Sequence, residues 1–222
     1  MKKILFFVFF VQISILNAQF SLNGGISTLK AFGVPKPYVG IHLGAEIPRD
    51  NEVSFYLRGS FYAKNELDPT LYYSPPVQLT ANDPNDFTYA TANTRSFFNY
   101  KTFDGGIRYY IMDGYDNGFA LYGGSNVMGI INKAKVKVDD FDHSKYHLPT
   151  GYSVNGTVLN LGVGFSGGAK YTYPGIGSIY FDMTLDYIII GLPSNLTAQT
   201  IANNCFSPLL FSFNIGFRRD FY

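Results

Sequence analysis

Apolar and polar residues trade places at every second position along most of this chain, and no other feature restricts its fold as strongly. In the closing stretch PLLFSFNIGFRRDFY, Phe211, Phe213, Ile215 and Phe217 fall on one parity, and Ser212, Asn214, Gly216 and Arg218 fall on the other. A period of two puts successive side chains on opposite faces of an extended strand. The same alternation runs through YVGIHLGAEI from Tyr38, VSFYLRGSFYAK from Val53, the stretch from Thr102 to Ile111, TVLNLGVGFSGGAKY from Thr157, and Ile179 to Ile189. Two further segments, Phe20–Lys30 and Phe119–Ile131, carry it with glycines blurring the parity. The count is eight strands. Each reaches the roughly 9–11 residues with which a tilted strand crosses a bilayer, beyond the roughly 5–6 usual in soluble sheets.

The connections carry a second pattern. Pro48-Arg49-Asp50-Asn51, Asp113–Gly118 and Pro174-Gly175-Ile176-Gly177 are compact and rich in turn-forming residues. They join strands two to three, four to five and six to seven. The links between, about 65–94, 132–155 and 191–207, are long, and only 31–37 is short. Short turns on one rim and long loops on the other are the arrangement of an outer-membrane barrel.

Residue type then decides which face meets which medium. The apolar sets contain hardly any charge, while the opposite sets hold Gly, Ser, Thr, Asn, Tyr and most strand charges. Gly40, Gly44, Gly162, Gly164 and Gly168 would serve no purpose on a solvated exterior, but suit a crowded, narrow lumen. The expected fold is an all-β, eight-stranded antiparallel up-and-down transmembrane β-barrel with its phenylalanines turned to lipid.

The amino terminus agrees with this. Lys2 and Lys3 precede an apolar run from Ile4 to Leu16, followed by Asn17-Ala18-Gln19, the layout of a secretory signal peptide. Residues 1–18 are read as that signal and 19–222 as the barrel. Without Lys2 and Lys3 the chain has 15 basic and 16 acidic residues, a net charge of −1, so no basic excess points to nucleic acid. Aromatics make up 18% of the chain and charged residues 15%, against about 25% charged in soluble domains. One cysteine, Cys205, excludes an internal disulfide framework.

The signal peptide, the eight alternating strands, the tight turns on one rim and the aromatic-rich final strand together resemble the small outer-membrane β-barrel family of OmpA/OmpX type, including the PorT-like barrel domain. The resemblance covers essentially the whole mature chain. It implies residence in the outer membrane of a Gram-negative-type envelope, contact with outer-membrane lipid, and recognition of the last strand by the barrel-assembly machinery. Phe221-Tyr222 would form the terminal signal, although the alternating set is in register with Phe221 and is interrupted by Arg219.

The expected interior carries Arg58, Lys64, Arg108, Lys170 and Arg218 against Glu46, Asp104, Asp182, Asp186 and Asp220. Buried ions must be paired because an unpaired one costs several kcal/mol. The balance therefore predicts an internal salt-bridge network that plugs the barrel, with Tyr56, Tyr110 and Tyr180 filling around it. His42, near Glu46, would be the titratable member of a gated path if the lumen conducted. Lys133, Lys135 and Lys137 take the outward parity if the fifth strand runs past the membrane, where they would meet anionic headgroups of the outer leaflet.

Asp139, Asp140, Asp142 and His143 match no metal-ligand spacing, and neither a metal nor another cofactor is expected. Asp142, His143, Ser144 and His147 raise a lipid-modifying enzyme at the outer rim as an alternative, but adjacency in sequence does not make a nucleophile and its base. Asn155-Gly156-Thr157 and Asn195-Leu196-Thr197 match glycosylation acceptors, and aromatics at 71–76 and 87–89 suit a contact surface. The function expected is non-enzymatic: a plugged barrel whose outer loops serve envelope integrity, adhesion or an extracellular or envelope protein partner. The alternatives are the rim enzyme and a narrow conduit for a small solute.

Overall fold

The computed structural model describes residues 19–34, 36–67, 76–83, 90–112, 115, 118–150, 152, 155–195 and 207–221. The segment read as a signal, most of the two aromatic loop stretches, Cys205 and Thr197 of the second acceptor motif lie outside the described residues. Eight long strands form the body: β1 (Phe20–Ala31), β2 (Tyr38–Pro48), β3 (Val53–Tyr62), β4 (Thr94–Met112), β5 (Gly118–Val138), β6 (Asn155–Tyr173), β7 (Gly177–Pro193) and β8 (Leu209–Phe221). Each pairs antiparallel with the strand before and after it in sequence. The last pairs with the first, from Phe20 opposite Phe221 to Ala31 opposite Leu210. The ring is closed and no long edge remains, which is the condition for a sheet to live in hydrocarbon.

Alternation now has a direction. Leu43, Leu57 and Phe165 on the outer face are 66%, 65% and 73% exposed, whereas Asp182 and Asp186 on the inner face are 0% exposed. Each large apolar side chain is worth roughly 1.5–3 kcal/mol of transfer from water. A belt of them around the whole circumference calls for hydrocarbon as its solvent.

The start of β1 and the end of β8 lie at the rim where β2 joins β3, β4 joins β5 and β6 joins β7, here the turn end. At the other, the loop end, β4 and β5 climb beyond their neighbours, paired up to Thr94 opposite Val138. There Val77–Ala81 pairs with Ala90–Ala92 on one side and with Tyr146–His147 on the other. Val77, Leu79 and Ala92 form its small core under Phe141, Leu148 and Tyr152. The long loop between β3 and β4 therefore does contain strands above the barrel.

Two local features shape the wall. A Cβ on Gly40 would lie 2.1 Å from the Phe61 carbonyl oxygen, so the inner surface has no room for one. These inward glycines answer to the backbone of the adjoining strand as well as to lumen side chains. A bulge sets Leu161 against Ile190 and Gly162 against Ile188. The extra residue turns Ile190 outward beside Ile189, while Ile188 keeps the inward parity of Asp186, 6% exposed.

Candidate functional site

The lumen is divided into two halves of opposite chemistry. Toward the turn end, Arg58 donates from Nε and Nη2 to Asp104 at 3.2 and 2.9 Å, and from Nη1 to both oxygens of Asp182 at 2.9 and 3.0 Å. Arg108 donates to Glu46 Oε2 and to Asp182 Oδ2, each at 2.8 Å. Asp182 thus joins the two guanidiniums, and Asn214 Nδ2 adds a third donor at 2.6 Å. Glu46 also accepts from Ser54 Oγ and from the Tyr110 hydroxyl. Arg108 lies 4.2 Å over the ring of Tyr56 and 4.8 Å over that of Tyr122. In a medium of low polarity such forked, charge-assisted bonds offset the desolvation of each ion.

A residue of the β4–β5 turn closes this half from below. Tyr115 is 0% exposed. Its hydroxyl donates to Ser21 Oγ at 2.9 Å and its amide to the Asn51 carbonyl at 2.9 Å. Its carbonyl accepts from Arg218 Nη2 at 3.0 Å and from Lys170 Nζ, while both cations sit over its ring. Nothing in the spacing of Asp113–Gly118 distinguishes an inward tyrosine from a solvated one, and sequence reasoning passed it over. Tyr122 was missed because Gly123 and Gly124 hide the parity of β5.

Toward the loop end the lumen is mostly apolar, with Asn160 donating from Nδ2 to Asn132 Oδ1 at 2.6 Å as a buried polar pair. Leu29, Tyr38, Phe98, Tyr100, Met128, Ile130, Ala134, Ile188 and Leu210 form one buried cluster. Tyr38 meets Tyr100 edge-on at 4.7 Å, and Phe98 meets Tyr100 at 5.4 Å. Between the halves, His42 shares a hydrogen bond of 2.7 Å through Nδ1 with Ser27 Oγ, and its Nε2 bonds the Tyr180 hydroxyl. Both ring nitrogens are occupied, and neither touches Glu46.

The residues expected inside separate as follows. Glu46, Arg58, Asp104, Arg108, Lys170, Asp182, Asp186 and Arg218 are buried in the lumen. Asp186 accepts from Asn126 Nδ2 at 2.6 Å and enters no ion pair within 4.0 Å among the described residues. Asp220 pairs with Arg218 Nε at 3.0 Å at the turn-end rim. Lys64 is a correction: it lies past the end of β3, exposed, with Nζ 5.1 Å over the ring of Phe97. β3 stops pairing at Tyr62, so the inward parity projected through Ala63 no longer applies.

Lys133, Lys135 and Lys137 are exposed on the outer face of β5. Nearby, the rim residues with catalytic potential are otherwise engaged. Ser144 donates from both its hydroxyl, at 2.6 Å, and its amide, at 3.0 Å, to Asp142 Oδ1, which holds that carboxyl below the usual carboxylate range. His147 Nδ1 bonds Asn82 Oδ1 at 2.8 Å, and His143 packs on the Phe141 ring at 4.2 Å. No histidine addresses the Ser144 hydroxyl among the described residues, so these side chains do not form a nucleophile and base.

No family model matches the chain, and no curated protein matches it. Its fold is similar to solved structures. A major outer membrane protein from Thermus thermophilus aligns with a TM-score of 0.55 at 12% identity, over 92% of this chain and 100% of that one. Neisserial surface protein A aligns with a TM-score of 0.50 at 14% identity, over 91% of this chain and 96% of that one. At such identities the likeness concerns the fold alone, an eight-stranded antiparallel barrel.

Proposed function

We propose that the chain is a non-enzymatic outer-membrane protein with a plugged interior, acting through its outer loops in envelope integrity, adhesion or contact with an envelope or extracellular partner. In this reading residues 1–18 are a cleaved secretory signal, both ends of the mature chain are periplasmic, and the last strand is what the barrel-assembly machinery recognises. The observation that carries it is that buried side chains occupy the lumen at three successive levels. Tyr115 with Lys170 and Arg218 supports closure at the turn end, the paired guanidiniums and carboxylates support it in the middle, and the aromatic cluster of Tyr38, Phe98 and Tyr100 supports it toward the loops. An open channel would leave the same ions hydrated and would have no use for forked pairing.

The small sheet of Val77–Ala81 with its two partners favours a role for the loops, since a hydrophobic core of its own holds loop-end chain together above the barrel. The test is electrical. The refolded mature chain in a planar lipid bilayer should give no discrete current steps above those of bare bilayer. Regular steps of uniform size would overturn the plugged reading and promote the conduit.

A further inference from the structure

The outer wall at the loop end is charged unevenly. Along β5 the outward positions rise from Gly123 through Ser125, Val127, Gly129 and Ile131 to Lys133, Lys135 and Lys137. Up to Ile131 the column carries no charge, and above it three lysines follow at alternate positions. Same-face residues are about 7 Å apart along a strand, so the ammoniums span about 13 Å. The adjoining strand β4 sets Lys101 opposite Ile131, Asn99 opposite Lys133, Phe97 opposite Lys135 and Arg95 opposite Lys137. On the other flank, among the described residues, β6 sets the neutral Asn155 and Thr157 opposite Lys135 and Lys133.

Among the described residues, two acids oppose this concentration. Asp139 pairs with Arg95 at 3.2 Å, and Glu66 lies opposite Phe97. Lys133, Lys135 and Lys137 make no ion pair within 4.0 Å among the described residues. Three like charges in one row repel one another, and the wall leaves that repulsion uncompensated. Its position also selects the anion. The row points sideways from the barrel, not up into the loops, and starts one rung above the apolar belt, where lipid headgroups meet the protein. Beneath it the wall is shallow: a Cβ on Gly129 would find its first neighbours only at 3.8 Å, and one on Gly123 at 3.6 Å. A low-relief strip below a cationic row is shaped for acyl chains under a phosphorylated headgroup.

We infer that the outer face of β4 and β5 binds a lipid of the outer leaflet whose headgroup carries more than one phosphate, through Lys133, Lys135 and Lys137 with Lys101 at the lower edge. The inference rests on the outer-membrane reading above and adds a ligand class to it. A single phosphate would satisfy one or two of the ammoniums. A headgroup with two separated phosphates reaches from Lys101 or Lys133 to Lys137, while its chains lie over Ile131, Gly129 and Val127.

Native mass spectrometry of the mature barrel in a neutral detergent tests this with three probes: lipid A bearing two phosphates, the same lipid without phosphate, and inorganic phosphate. The expected result is retention of the diphosphorylated lipid and loss of the other two. The K133E/K135E/K137E variant should bind that lipid roughly ten- to a hundredfold more weakly, and K133R/K135R/K137R should restore it. All these positions are exposed, and an unchanged thermal midpoint will identify a folded variant. Equal retention of the phosphate-free lipid, or undiminished binding by the glutamate variant, overturns the inference. Tighter binding of a soluble sulfated polysaccharide than of lipid A overturns it as well, in favour of a matrix polyanion. A chain that forms no protease-resistant barrel in detergent defeats the membrane reading itself, whereas a resistant barrel that does not discriminate among the probes defeats the lipid site alone.

Discussion

The two halves of the lumen solve one problem with different materials. Both must fill a narrow cylinder without leaving holes or unpaired groups. The turn-end half uses Arg58, Arg108, Asp104, Asp182 and Glu46, whose bonds fix direction as well as distance. The loop-end half uses Phe98, Tyr100, Met128 and Ile130, which need only fit. The comparison teaches that a barrel interior need not be polar throughout: a group is tolerated there if its neighbours complete it, and apolar packing completes itself. It also separates specificity from bulk. A directed network accepts one arrangement, whereas an apolar cluster accepts several of similar volume.

Substitutions can break this contrast. The largest effect is expected at Arg58→Ala, which leaves Asp104 and Asp182 without the guanidinium that joins them. Stripping one partner from a buried pair costs about 3–5 kcal/mol, read as a fall in the urea midpoint in micelles. Arg108→Ala, which abandons Glu46, should act in the same direction, and an unchanged midpoint for both would refute the network. At the loop end Phe98→Ala should cost about 3 kcal/mol through the cavity it opens. Its signature differs, because the cavity should take up a small apolar ligand such as benzene and regain stability, whereas no neutral ligand should rescue Arg58→Ala.

Milder changes sharpen the contrast further. Met128→Leu conserves volume and should cost less than about 1.5 kcal/mol. Arg58→Lys, equally conservative in charge, should cost clearly more because an ammonium cannot fork to two carboxylates. If the two losses are equal in urea titrations, the halves do not differ as described. The smallest effect is predicted for Tyr115→Phe. It removes the bond to Ser21 but keeps the ring beneath Lys170 and Arg218, for about 1 kcal/mol, and the barrel should remain non-conducting.

Much of this was legible in the sequence because it follows from a period of two. The eight strands, their inward and outward faces, the short-turn rim and most of the buried charges all come from parity and residue type. What parity could not reach has a physical cause in each case. Lys64 lies where the strand has ended, so the alternation was projected beyond the hydrogen bonds that enforce it. Ile190 is outward, beside Ile189, because a bulge adds one residue, a change of backbone register that leaves no mark on composition. The apolar upper lumen was hidden because Met128 and Ile130 look like outward residues when Gly123, Gly124 and Gly129 obscure the parity of β5. Tyr115 sits in a turn, where side-chain direction depends on what the turn folds against. The partnership of Arg58 and Arg108 through Asp182 joins residues far apart in sequence, and no local pattern records it.

The central claim is that the greasy outer face meets lipid while the ions stay within. Single cysteines at Leu43 and Val163, in a background with Cys205 replaced by serine, can carry a fluorophore in the refolded chain within bilayer discs. The account predicts strong quenching of both labels by brominated lipid and little by aqueous iodide. The reverse order, with iodide reaching both sites and brominated lipid neither, would contradict it.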